Sequence, residues 1–287
     1  MDQISIEALI KAGAHFGHPT SRWHPRFRNY ITMKKNGVHI IDMEQTSQCM
    51  IQASKAIGKI VQDDGNILFV GTKKQAKDVV QQAADRCGMY YIVERWLGGT
   101  LTNYGTIKKS IKRLTSLEKE SSAIYSNLTK KELNSLERER LRLADLHRGI
   151  KDMKHLPRGL FFVDGIHERI AISEARILDI PTFGIIDSNT DPSDIDYPIP
   201  ANDDSIKTIH LIVNYIADSI VDSLGRTIDT DIPSEELGKD STGSSDNGNE
   251  VSPETIVTPD IDDNETDEKD IDVREKVESK SQKENLE

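Results

Sequence analysis

The chain has 287 residues, 36% hydrophobic and 30% charged, enough for one large domain or two modest ones, with a formal net charge of −11. That charge is uneven: residues 229–287 hold 20 acidic and 6 basic side chains, leaving 31 basic and 28 acidic in residues 1–228, so the global acidity excludes nucleic acid as a partner of the tail and not of the body. Cys49 and Cys87 are far apart and form no C-x-x-C, which excludes a disulfide framework or a cysteine zinc site and fits a reducing compartment.

The opening MDQISIEALIKAGAHFGH has no basic region followed by an apolar one, and no apolar run approaches bilayer length. A cytoplasmic protein with no membrane contact is expected. The first informative segment is SRWHPRFRNYITMKK. It carries Arg22, Arg26, Arg28, Lys34 and Lys35, no acid, and the aromatic rings of Trp23, His24, Phe27 and Tyr30. Pro25 and the aromatic spacing argue against a simple amphipathic helix. A loop is expected, whose cations neutralise phosphates and whose rings stack on unpaired bases. The competing reading tucks the rings into the core and leaves the cations to water.

VHIID (38–42) is a strand candidate, followed by a helix over 44–61 with apolar positions on one face. NILFVG (66–71) is a continuous apolar run of the kind buried in a parallel sheet; a helix over 73–86 and the strand YYIV (90–93) follow. From about Thr106 to Met153 the chain is charged and helical, with one stripe of Ile107, Ile111, Leu114 and Leu117 and a second of Leu136, Leu143, Leu146, Ile150 and Met153. Two antiparallel helices forming a projecting hairpin over 106–155 are expected, with SSAIYSNLTKKE at the turn. Its root gathers Lys108, Lys109, Lys112 and Arg113 from one arm and Lys151, Lys154, His155 and Arg158 from the other, a patch suited to phosphates. The alternation then resumes with GLFFVD (159–164), a helix over 168–178, TFGIID (182–187), an irregular Asp- and Pro-rich loop, and a last helix from about Asp204 to Leu224. These segments predict an α/β three-layer sandwich with a parallel sheet of about five strands in a 1–228 body. Residues 229–287 are too poor in apolar side chains to offset ordering entropy, and are expected to form a disordered acidic tail.

The motifs of a nucleotide enzyme are missing. GTKK at Gly71–Lys74 follows a strand and opens a helix, yet lacks the further glycines of G-x-G-x-x-G and the length of a phosphate loop. An enzyme binding a nucleotide or sugar phosphate at the Gly71 turn is the alternative function. His167–Glu168 fails as a metalloprotease motif because Ala171 holds the second histidine position. A different cluster has more promise. Asp187 ends a strand and Asp203–Asp204 precede the last helix, so the three gather at one sheet edge, with His15 or His18 near enough to complete a site for zinc or magnesium. Helix capping by Asp203 or Asp204 is the plainer reading.

The strings AGAHFGHPTSRWHPRF, NGVHIIDMEQT, ILFVGTKKQA, ERWLGGTLTN, GIKDMKHLP, EARILDIP and DYPIPANDD, in order over roughly residues 4–225, resemble the bacterial small-subunit ribosomal protein S2 family. The resemblance implies a flavodoxin-like sheet with an inserted coiled-coil hairpin. It implies a structural, non-enzymatic constituent of the small ribosomal subunit that contacts rRNA and neighbouring ribosomal proteins, including docked S1 in lineages that have it. No small-molecule substrate and no required cofactor are implied. The rRNA contacts carry over to Arg22, Arg26, Arg28, Lys108, Lys109, Lys112 and Arg113, and the Asp187, Asp203 and Asp204 strings to a group near His15 and His18. There are departures. Arg148–Gly149 stands where Gly–Gly is expected, Ser21 and His24 replace more basic or amide-like residues, and the acidic tail has no counterpart in a minimal member. A free RNA-binding regulator using the same surface is a third reading.

Overall fold

The computed structural model describes residues 4–119 and 129–225, all in one compact unit, Met1–Asp231. The tail expected to be disordered (229–287) and most of the turn expected between the hairpin arms lie outside the described residues.

The sheet is built from segments with nothing polar to expose. β4 (Ile67–Val70), β6 (Gly159–Val163) and β7 (Thr182–Ile186) are buried at every position, as expected of strands covered on both faces. They are flanked by β5 (Tyr90–Ile92) and β8 (Tyr197–Pro200) in the order β5-β4-β6-β7-β8, all parallel. The register aligns Tyr91, Phe69, Phe161, Phe183 and Tyr197 in one row across all five strands. Within it the Phe69 and Phe161 rings lie 5.3 Å apart and Phe183 stacks on Tyr197 at 4.7 Å. Such pairs add to the sheet beyond their buried area.

The strand count is five, as expected, but its membership differs. VHII forms β3 (Val38–Ile41), which joins β1 (Phe16–Pro19) and β2 (Ile31–Lys35) in a separate antiparallel sheet, order β1-β3-β2. The fifth parallel strand is β8, from the segment read as an irregular loop. Its sequence YPIP has two prolines that lack ladder donors, which an edge strand tolerates because one side needs no pairing.

Helices α2 (Met43–Gln62), α3 (Lys77–Cys87) and α7 (Ile206–Ser223) pack together, α7 touching both others. α3 joins β4 to β5 and α6 (Arg169–Ile177) joins β6 to β7, on opposite sides of the strand order, so the right-handed rule for parallel crossovers assigns them to opposite faces of the sheet. A short N-terminal helix, α1 (Ile6–Ala12), packs against α2 and α7. The insertion between β5 and β6 contains α4 (Tyr104–Glu118) and α5 (Lys130–His147). Ser110 Oγ meets His147 Nε2 at 2.8 Å and Arg113 pairs with Glu139 at 3.0 Å, so the two helices run in opposite directions.

The first stripe behaves as expected, with Ile107, Ile111, Leu114 and Leu117 all buried. The second does not form one helical face. α5 stops at His147, and Leu136, Leu143 and Leu146 are only half-buried. Ile150 and Met153 belong to the main core, reached through a 3-10 turn over Arg148–Ile150. A sealed heptad seam would bury the whole stripe; the described contacts are those of a helical pair.

The Arg148–Gly149 departure is harmless here. Arg148 is right-handed helical (φ −52°), a conformation any residue adopts. Gly149 is the position that needs glycine, because a Cβ there would run into the Tyr91 carbonyl oxygen and ring.

Candidate metal centre and basic surface

The C-terminal ends of parallel strands collect side chains on one edge. After β4 comes Thr72–Lys73, after β6 Asp164, after β7 Asp187, and after β8 the pair Asp203–Asp204. β1 runs across this edge and adds His18. A Cβ on Gly17 would meet Ser188 Oγ at 2.9 Å, Asp187 Oδ1 at 3.1 Å and the His39 carbonyl at 3.2 Å. The bare glycine lets the strand approach, so the His18 amide donates to Ser188 Oγ (2.9 Å) and Asp187 Oδ1 (3.2 Å).

His18 Nδ1 sits 2.7 Å from Asp187 Oδ2 and Nε2 3.6 Å from Asp204 Oδ2. One ligand atom from each of His18, Asp187, Asp203 and Asp204 falls within 4.8 Å of the others. Asp203 is fully buried and its Oδ2 has no hydrogen-bond partner, so it is an acceptor unsatisfied by protein. Capping does not explain these acids. The N-cap of α7 is Ser205, whose side chain accepts from the Thr208 amide. His15 does not join the group; its ring lies 4.0 Å from that of Phe16, and burial lowers its pKa.

Lys73 is the counter-charge. Its Nζ lies 2.7 Å from Asp203, 2.7 Å from Asp204 and 3.2 Å from Asp164. Burial would lower the Lys73 pKa, but Asp203, Asp204 and Asp164 outweigh it and hold the amine above its usual value. Burial first, then the charges of Asp164 and Asp187, push the Asp203 carboxyl up to about 7 despite Lys73. The hydrogen bond to Asp187 raises His18 against the effect of its burial. Four carboxylates therefore face one lysine and one histidine, an excess of negative charge that a divalent cation would relieve.

The same contacts weaken the phosphate reading of the Gly71 turn. The Thr72 amide and hydroxyl both donate to the buried Glu168 Oε1 (2.8 and 2.6 Å), and Lys73 is held by carboxylates. Thr72 and the Lys73 amine, which a phosphate at this turn would need, are therefore already engaged.

The other unusual string, WLGGTLTN, is a carboxylate cradle. Glu174 on α6 is buried and accepts from Trp96 Nε1 (3.0 Å), Gly99 N (2.7 Å), Leu101 N (3.0 Å), and Thr102 N and Oγ1 (3.1 and 3.0 Å). Burial alone would raise its pKa, but the bonds from Trp96 and the three amides hold it below the ordinary glutamate value.

The basic candidates separate into free and engaged side chains. Arg22, Arg28, Lys34 and Lys35 are exposed around β2 and the 3-10 helix Pro25–Tyr30, and Lys109, Lys112 and Lys154 are exposed near the α4–α5 root. Arg26 pairs with Asp191 (2.8 Å) and Arg113 with Glu139. Lys151 pairs with Glu118 (2.5 Å), and Arg158 donates to the Asp63 carbonyl at the end of α2 (3.1 Å). The two arms do meet: Lys108 Nζ donates to the Lys154 carbonyl at 2.7 Å. Of the aromatic rings, Phe27 is core and Trp23 is half-buried against His39 at 5.0 Å. Phe16, half exposed, was not singled out by the sequence. The His24 amide donates to the Ser188 carbonyl (2.7 Å), so this basic loop is seated directly on the segment that carries Asp187.

Sequence reasoning found Asp187, Asp203, Asp204 and His18 and missed Lys73, Asp164 and Glu174. The strand-end rule that found the first three applies equally to Lys73 and Asp164. No local signal marks Glu174, whose five donors come from more than 70 residues upstream. The family model described as ribosomal protein S2 matches residues 9–223.

Proposed function

From the premise that the chain belongs to the ribosomal protein S2 family, and so is a small-subunit ribosomal protein, we propose that it binds rRNA directly through the exposed cations of its N-terminal loop and helical root. The observation that carries this is the set Arg22, Arg28, Lys34 and Lys35, exposed with no acid in their segment, on a loop anchored to the sheet edge by the His24–Ser188 bond. Lys108, Lys109, Lys112 and Lys154 extend the surface at the root. The family's role is structural. Contacts with neighbouring ribosomal proteins, among them S1 where it is present, and a cytoplasmic location belong to the same reading. No helix among the described residues is long and apolar enough to cross a membrane.

On a sucrose gradient the full chain should co-migrate with the small subunit in stoichiometric amount and dissociate as salt rises, because phosphate contacts release counterions. Lys34→Glu with Lys35→Glu should lower the salt concentration at which it leaves. Migration wholly at the top of the gradient at every salt would reject the reading.

We further propose that His18, Asp187, Asp203 and Asp204 hold a divalent cation, zinc in preference to magnesium because one donor is an imidazole. Bound there, the cation supplies positive charge that cancels carboxylate repulsion. The ligands themselves tie β1 to the ends of β7 and β8. At a hundredfold excess over Kd, zinc should stabilise the metal-stripped chain by about 2.7 kcal/mol. That corresponds to a Tm rise of roughly 5–10 °C, absent in Asp203→Asn. A melting curve unmoved by either metal, with no metal found by elemental analysis of the purified chain, would remove the proposal.

A further inference from the structure

We infer that the outward face of α6 is a protein-docking surface, shaped for a neighbouring protein's segment that presents apolar side chains beside carboxylates; this rests on the small-subunit reading above.

A helix on the outer layer of an α/β body buries its apolar side chains and exposes polar ones. The inward side of α6 obeys, with Ala171, Ile172 and Ala175 buried. The outward side does not. Ile170 is 50% exposed and Ile177 71%, and Ile166, in the turn just before the helix, is 50% exposed. At about 100° per residue, Ile170, Ser173 and Ile177 fall within one sector of α6, forming a stripe, and Ile166 stands exposed in the turn that leads into the helix.

The charge on this helix is arranged just as unevenly. Both acids of the segment, Glu168 and Glu174, turn inward and are spent on Thr72 and on the 96–102 loop. Both arginines, Arg169 and Arg176, lie exposed along one flank of the stripe. Arg176 pairs with Asp194, whereas Arg169 makes no ion pair among the described residues. A groove of about 310 Å³ runs beside this flank, between α6 and residues 190–195. The acids on its far rim, Asp191 and Asp194, are already paired with Arg26 and Arg176.

Apolar centre, guanidinium edge and adjoining groove make a protein interface in which the missing charge is a carboxylate. Three branched aliphatic side chains offer RNA neither hydrogen bonds nor a stacking plane. A second copy would bring the same face, whose acids are buried or already paired, and so would offer Arg169 no free carboxylate.

The test uses the full chain incorporated into small subunits, with a photo-crosslinking amino acid at position 166. A cross-link to a ribosomal-protein peptide is expected. Its yield should fall roughly tenfold or more in Ile170→Asp with Ile177→Asp, and several-fold in Arg169→Glu, since a few central contacts dominate such interfaces. All three substitutions are at exposed positions, and unchanged melting of the isolated variants confirms that folding is intact. A cross-link to rRNA, to a second copy or to residues 226–287 of the same chain, or no cross-link, overturns the inference. So does a protein cross-link insensitive to Arg169→Glu. If the unmodified chain is absent from small subunits, the ribosomal reading itself has failed, and this inference with it.

Discussion

Replacing Glu174 by alanine is expected to lower the melting temperature of the full chain by roughly 10 °C, the scale set by about 3–4 kcal/mol in a body of this size. Five donors converge on one carboxylate, three of them main-chain amides, and the Trp96 indole and the Leu101 backbone lie in a buried region. Truncation strands several donors, and each stranded donor costs about 1–3 kcal/mol, part of which entering water recovers. Glutamine keeps the shape but turns its NH2 toward amides that can only donate, so Glu174→Gln should fall between alanine and wild type. The sign with pH follows from the depressed native pKa: the stabilisation is present above the unfolded-state value and is lost as pH falls through the native one. Thermal melts at neutral and acid pH test both points. An alanine variant within about 1 kcal/mol of wild type at neutral pH would mean that the loop is held by Trp96 packing alone.

Lys73→Met should be comparably damaging, by about 3–5 kcal/mol, because it strips the counter-charge from a buried acid. Lys73 reaches Asp203, Asp204 and Asp164 at once, and Asp203 is fully inaccessible to solvent. The loss comes from the uncompensated charge, not from the missing ammonium, so adding Asp203→Asn to Lys73→Met should recover stability. A double variant no more stable than Lys73→Met would show that the lysine acts through packing. Zinc should also stabilise Lys73→Met by more than it stabilises wild type, since the cation then supplies charge that the lysine no longer does.

Much of the body was readable because buried parallel strands leave a plain mark: ILFV, GLFFV and TFGII are apolar end to end, and each became a strand. What failed was the assignment of partners. VHII has the composition of a sheet strand, yet it sits before the first parallel crossover and pairs locally with β1 and β2, which an apolar run alone does not reveal. YPIP reads as loop because the segment around it is rich in Asp and Pro, yet the missing proline donors matter only on a side that must pair. At the acidic cluster on the sheet edge, topology points to the three aspartates, whereas Lys73 reads in sequence only as part of a phosphate-binding turn. The second leucine stripe misled because Ile150 and Met153 continue its spacing after the helix has ended.

The neighbour relation of β4 and β6 has a kinetic side. Ile67 pairs with Gly159 and Val70 with Phe162, contacts separated by more than 90 residues that include both helices of the insertion. Closing so long a loop sacrifices chain entropy before any sheet contact returns it, which slows folding. On a chain growing from its N-terminus, β1–β3, α2 and the β4–β5 pair can form early, but β4 keeps one open edge until synthesis has passed residue 163. During that interval its four apolar residues are a template for the wrong strand. The insertion therefore sets how long a nascent chain stays exposed to misassociation, and a shorter connection between β5 and β6 should speed refolding while leaving the unfolding rate nearly unchanged.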